Sequence, residues 1–248
     1  MSNITLALKF VFSYFSILPV SFKKDDDVTK KEVLNYTVFF LPLVGLVLGT
    51  ISISIFSLLD SIPSLAAIIA SCVYFILYGF LHTEAILDVV DAIYAKHSGK
   101  DPYKIIKEPT VGAIGVLYSV IFVVLKIAGF SFLLYHGYLF EFLSIIIIAR
   151  LCVQFTIYFS KFKSSFLTMM SDSFTPKVFL SSIIIFSFIV FLLTNFNFLI
   201  FIPIAFLFTL IITSFIKKAL GFLNGDVLGF LLESIEILLA LGVCFLWL

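Results

Sequence analysis

Apolar runs of about 20 residues recur along this chain, separated by short polar breaks, and no other feature restricts the fold as much. A hydrocarbon core about 30 Å thick requires helical spans of that length. Helices suit it because they satisfy their own backbone hydrogen bonds there. Of the 248 residues, 62% are hydrophobic and 12% charged, roughly half the charge of a soluble domain. The pattern predicts an all-α, polytopic integral membrane helical bundle. Its seven spans fall near 33–58, 65–81, 113–134, 142–160, 178–194, 198–216 and 227–247. No shift in composition divides the chain, so residues 1–248 are read as one membrane-embedded domain.

The opening stretch MSNITLALKFVFSYFSILPVSF lacks a basic region before its apolar part and a small-residue cleavage pattern, so it is read as part of the mature protein. It is short, contains Lys9 and stops at Pro19, which predicts an interfacial or re-entrant helix instead of a span. Cys72, Cys152 and Cys244 each lie in an apolar run without CxxC spacing, as small core residues do.

Charge placement predicts orientation. The connectors near 60–63, 135–141 and 195–197 carry no Lys or Arg, whereas the alternate loops hold 13 of the 16 basic residues. These are Lys23, Lys24, Lys30 and Lys31, then Lys96, Lys100, Lys104 and Lys107, then Lys161, Lys163 and Lys177, then Lys217 and Lys218. The positive-inside rule places that face in the cytoplasm and the Trp247–Leu248 end on the far side.

Between two of the spans lies HTEAILDVVDAIYAKHSGKDPYKIIKEPTVGAIG, a segment dense in charge, with its site portion at 82–112. Glu84, Asp88 and Asp91 follow at i, i+4 and i+7. If the preceding helix continues, all three carboxylates share one face. Three such groups repel one another unless a hard cation sits among them, and Mg²⁺ combines one or two carboxylates with waters and phosphates. The other reading is a solvated helix end paired with Lys96, Lys100 or Lys104. His82 is either an interfacial polar residue or a base, phosphate donor or partner to the acids. Gly112 and Gly115, after Pro109, suit an ordinary helix start or backbone amides open to a phosphate.

Buried charge supplies a second line. Lys126, Arg150 (the only arginine), Glu233 and Glu236 fall inside predicted spans, where charges face the bundle interior or a polar cavity. Interhelical ion pairing and a basic group reaching a diphosphate are both open. Asp226 in LNGDVLG either completes an acidic site or caps the last helix.

Taken together, five segments in order resemble the cobalamin synthase (adenosylcobinamide-GDP ribazoletransferase) family. FFLPLVGLVLG is similar to its F-P-x-x-G-x-x-x-G segment, and YGFLHTEAILDVVDAI to G-x-H-x-D-G-x-x-D-x-x-D. IIKEPTVGAIGVL is similar to I-M-K-D-x-x-x-G-x-x-G-V, Arg150 to the arginine of an A-R pair, and LNGDVLGFLLE to G-x-T-G-D-x-x-G-x-x-x-E. Glu84, Ala85 and Glu108 depart from the motif residues Asp, Gly and Asp.

The resemblance implies a Mg²⁺-dependent transferase of the bacterial or archaeal cytoplasmic membrane. It would join adenosylcobinamide-GDP to α-ribazole or its 5′-phosphate and release GMP. Its partners would be these small molecules and the lipid bilayer, with no nucleic acid. It implies metal binding by Glu84, Asp88 and Asp91, and catalysis by His82, Asp88 and Asp91. Substrate contacts would come from Lys104, Lys107, Gly112, Gly115, Lys126, Arg150, Asp226 and Glu233.

Two alternatives are weaker. A CDP-alcohol phosphotransferase requires D-G-x-x-A-R, but Asp91 is followed by Ala-Ile-Tyr. A transporter would use the buried charges but leaves the acidic segment unexplained, and no inverted repeat is visible.

Overall fold

The computed structural model describes residues 2–59 and 61–246, so the expected far-side placement of Trp247–Leu248 lies outside the described residues. The helices are α1 Asn3–Phe15, α2 Lys31–Phe39, α3 Leu41–Leu58, α4 Pro63–Leu77, α5 Leu81–His97 and α6 Pro102–Ile105. They continue as α7 Ala113–Tyr135, α8 Leu139–Phe159, α9 Ser165–Ser173, α10 Pro176–Leu193, α11 Phe201–Leu220 and α12 Gly225–Leu246, with a 3₁₀ turn at Phe196–Ile200 before α11. Among the described residues six helical segments are long and apolar enough to cross a membrane, or seven if the bent pair α4 and α5 forms one span. This is the polytopic bundle expected, organised around α8 and α12, the two most buried spans.

Helix α1, with 13 residues, reaches about 20 Å at 1.5 Å per residue, short of a bilayer crossing. Ser2 caps it, and it packs mainly on α2.

Three expectations need correction. The span predicted at 33–58 divides at Phe40 into α2 and α3. Pro42 has no N–H to give the Val38 carbonyl, and Gln154 Nε2 of α8 donates to Val38 O at 2.6 Å and to Phe39 O at 3.1 Å instead. A break in a membrane helix persists where a neighbouring helix satisfies the freed carbonyls in this way. The loop expected after Lys161 contains α9, whose N-terminus Ser164 caps. Finally, α4 does not continue into the acidic segment. The chain turns by 77° between α4 and α5, through Gly79 (φ 65°) and Phe80 (φ 56°) in left-handed conformation.

The GxxxG spacing of Gly45 and Gly49 explains the close pairing of α3 with α8. A Cβ on Gly45 would stand 2.6 Å from Ile146 Cγ2, and one on Gly49 2.7 Å from Leu143 Cδ2.

Candidate active site

The turn at Gly79–Phe80 lays α5 across the first turns of α7 and α12, outside the six helices able to span on their own. Its 17 residues carry Glu84, Asp88 and Asp91, still on one face, but their surroundings differ. Asp91 turns to α7, where Oδ2 accepts from Gly112 N at 2.6 Å and Oδ1 from Gly115 N at 2.8 Å. The amides that the sequence left open to a phosphate are therefore taken by a carboxylate, which also complements the positive end of α7. Both glycines are needed for this approach: a Cβ on Gly115 would lie 2.7 Å from Asp91 Cγ and from Leu87 O.

Asp88 is half-buried, with Asp226, Glu84 and Asp91 near enough to act on it. Burial first, then these three carboxylates, raise its acid from 3.8 to about 6. The described ion pairs are Lys126 with Glu233 and Glu236, and Arg150 with Glu236, so the acidic cluster has no cationic partner among the described residues. A surplus of unneutralised oxygen donors is suited to a hard cation.

Among the described residues, no group of three His, Cys, Asp or Glu is gathered closely enough to hold a metal. The chemistry of Mg²⁺ asks less of the protein, one or two carboxylates with water and phosphate completing the shell. Glu84 and Asp88, one helical turn apart, are the pair that would hold such an ion, and Asp91 is already bonded to α7.

Asp226 arrives from α12. The cap there is Asn224, not Asp226: Asn224 Oδ1 accepts from Val227 N at 3.1 Å, and its Nδ2 donates to Asp226 Oδ2 at 2.6 Å. The two helices approach closely because Gly229 faces Ala85. A Cβ on Gly229 would lie 2.7 Å from Ala85 Cβ. The close approach that the motif glycine would permit at 85 is thus preserved by a glycine on the opposing helix.

Next to Asp226 a cavity of about 220 Å³ opens between α1, α3, α5, α8, α9 and α12. Its walls are mostly apolar, and His82, Arg150 and Asp226 reach it. His82 is 9% exposed and has no hydrogen bond among the described residues. Its ring lies 6.2 Å from Phe15 and 5.4 Å from Tyr78. Burial is the main cause that pushes its acid down to about 3, so the imidazole is neutral.

Beneath the cavity lies a closed ionic core. Lys126 Nζ is 2.8 Å from Glu233 Oε2 and 2.6 Å from Glu236 Oε2. Arg150 Nη1 is 2.8 Å from Glu236 Oε1, and Nη2 donates to Tyr74 OH at 3.0 Å. Tyr78 OH donates to Glu233 Oε1 at 2.8 Å and meets Thr83 Oγ1 at 2.9 Å, tying the core to the start of α5. Lys126 is fully buried, and the rings of Tyr74, Phe75, Tyr78 and Phe130 surround its ammonium. Two cations and two anions balance here, the interhelical pairing that the sequence left as one of two readings. Of these four, only Arg150 lines the cavity.

Lys104 and Lys107 do not line it either. Lys104 is exposed on α6, and Lys107 Nζ sits 4.2 Å from the Tyr103 ring. Lys163 Nζ sits 3.7 Å from the same ring, a partner with no signal in the sequence. Also missed were the cavity residues of α1 and α9, among them Phe15, Phe166, Leu167 and Met170. They are ordinary apolar residues far apart in the chain, and only the aromatic density of a segment too short to span set α1 apart.

Comparison with known proteins gives the family. A family model described as cobalamin-5-phosphate synthase matches residues 7–244. A relative from Clostridium perfringens (strain 13 / Type A), named adenosylcobinamide-GDP ribazoletransferase, is 29% identical over 248 residues, covering 96% of this chain and 97% of its own. One of the same name from Treponema denticola is 26% identical, covering 96% and 95%. One from Methanosarcina mazei is 33% identical over 127 residues, 49% of this chain and 42% of its own. No solved structure matches. The chain belongs to the cobalamin-5-phosphate synthase family.

Proposed function

We propose that this protein is an adenosylcobinamide-GDP:α-ribazole ribazoletransferase of the cytoplasmic membrane, with α5 and the lysine-bearing loops facing the cytoplasm. The observation that carries this reading is the set of mutually interacting carboxylates Glu84, Asp88 and Asp226, without basic partners among the described residues, beside a cavity that Asp226 lines, in a chain of this family. The lysine-rich loops support the orientation.

In the reaction a ribose hydroxyl of α-ribazole, or of its 5′-phosphate, attacks the phosphorus nearest the cobinamide. The new O–P bond forms as the bridging P–O bond breaks, and GMP leaves with the bridging oxygen. The hydroxyl proton passes to Asp226. Buried and neutral, His82 is too weakly basic for that task; it accepts a hydrogen bond that orients the hydroxyl. Glu84 and Asp88 would hold Mg²⁺, which when bound neutralises the diphosphate and the charge growing on the leaving phosphate. Asp91 holds α5 against α7 and so fixes where Asp88 stands. The exposed Lys104 and Lys107 offer positive charge to the nucleotide end of the donor.

The test is GMP release and cobamide formation by purified protein in lipid, supplied with adenosylcobinamide-GDP and α-ribazole phosphate, with and without Mg²⁺. Wild type is expected to turn over only with the metal, and Asp88→Ala to lose turnover. Absence of turnover by well-folded wild type with any divalent cation or either acceptor would overturn the reading.

A further inference from the structure

We infer that the apolar cavity seats the aromatic base of the acceptor nucleoside, and that residues of α9 set which bases are accepted. This rests on the transferase reading above. Three observations select the occupant. The first is size: at about 220 Å³ the cavity falls below the ~300–1,000 Å³ of sites for drug-sized ligands. A fused two-ring base suits that space, whereas a corrinoid, several times larger, does not enter.

The second is wall chemistry. Phe15, Leu167, Met170, Val153 and Leu232 present apolar surface. Guanine, the other ring system in the reaction, carries polar atoms along most of its edge. Of the polar side chains that also line the cavity, Arg150 is bonded to Glu236 and Tyr74, Asp226 to Asn224, and Ser164 caps α9, so most of those atoms would stay unpaired at a cost of ~1–3 kcal/mol each. A benzimidazole carries only ring nitrogens, one of them already bonded to ribose.

The third is His82. It lies nine-tenths buried, lacks a hydrogen-bond partner among the described residues, and lines this cavity together with Asp226. A base lodged against the apolar wall would carry its ribose toward these two groups, next to the acidic cluster where the diphosphate is received.

The base contacts α9, a nine-residue helix packed chiefly on α2 and α8. Leu167 and Met170 are both buried and lie on its inner face. Substitution there alters the cavity while leaving α5, α7 and α12 in place.

The experiment compares wild type, Leu167→Trp and Met170→Ala in lipid. It measures KM separately for adenosylcobinamide-GDP and for α-ribazoles bearing benzimidazole, dimethylbenzimidazole or naphthimidazole. Leu167→Trp fills the cavity and is expected to raise acceptor KM by about ten-fold or more with donor KM unchanged. Met170→Ala enlarges it and is expected to shift relative kcat/KM toward the naphthimidazole nucleoside by about ten-fold. A change in donor KM instead would assign the cavity to the donor's guanine and overturn the inference. Unchanged base preference in Met170→Ala would also overturn it, whether or not Leu167→Trp folds. Wild type without turnover would overturn the transferase reading itself, an outcome recognisable before either variant is made.

Discussion

Replacing Lys126 by Met tests the ionic core directly. Lys126 lies 13 residues into α7, about 20 Å from its N-terminal end, and is fully buried. Its Nζ contacts both Glu233 and Glu236, at 2.8 and 2.6 Å. With Lys126 gone, Arg150 still bonds Glu236, but Glu233 keeps only the Tyr78 hydroxyl. The core then holds one cation against two anions. Removing one partner of a buried pair costs about 3–5 kcal/mol because the remaining charge stays buried. At ~2–4 °C per kcal/mol for a chain of this length, Lys126→Met is expected to lower Tm by about 6–20 °C.

Adding Glu233→Gln restores charge balance, with one cation and one anion. The residual loss is then that of neutral hydrogen bonds, about 1–2 kcal/mol. The double variant is therefore expected to melt well above the single one. The assay is thermal unfolding in nanodiscs followed by a thiol-reactive dye, for which the fully buried Cys152 reports loss of packing. A double variant no more stable than Lys126→Met, or a single variant that melts like wild type, would refute the charge-balance argument.

Three other perturbations have defined outcomes. Asp91→Asn removes one acceptor oxygen and the charge facing Gly112 N and Gly115 N; about 2 kcal/mol should be lost, read as a lower Tm with reduced GMP release. Gly229→Ala drives a Cβ into Ala85 and should destabilise by about 1–3 kcal/mol, whereas adding Ala85→Gly should restore most of the Tm. Asp88 titrates in the folded protein near 6, above its ordinary 3.8. A raised acid binds its proton more tightly in the folded state, so its contribution is full below pH 3.8 and is lost as pH rises through about 6. In metal-free buffer Asp88→Asn should flatten that decline in Tm, and an unchanged pH profile in the variant would count against the acidic cluster.

The sequence by itself determined the class of fold, because the length of an apolar span is a local property imposed by the thickness of a bilayer. It also placed Glu84, Asp88 and Asp91 on one helical face, which follows from residue spacing alone, whereas the seating of Gly45 and Gly49 against α8 is visible only in the structure. It left open whether Lys126, Arg150, Glu233 and Glu236 meet one another or a ligand, because which buried charges meet depends on how α7, α8 and α12 rotate about their axes. Tertiary structure decided that they meet in a neutral core. It likewise gave Asp91 to the amides of α7, made Asn224 the cap beside Asp226, and bent the chain at Gly79–Phe80 so that α5 crosses two helix ends. The cavity is wholly a tertiary product. Its walls come from six helices spread between Tyr14 and Leu232, and apolar side chains acquire a shape only when distant elements close around the space they leave.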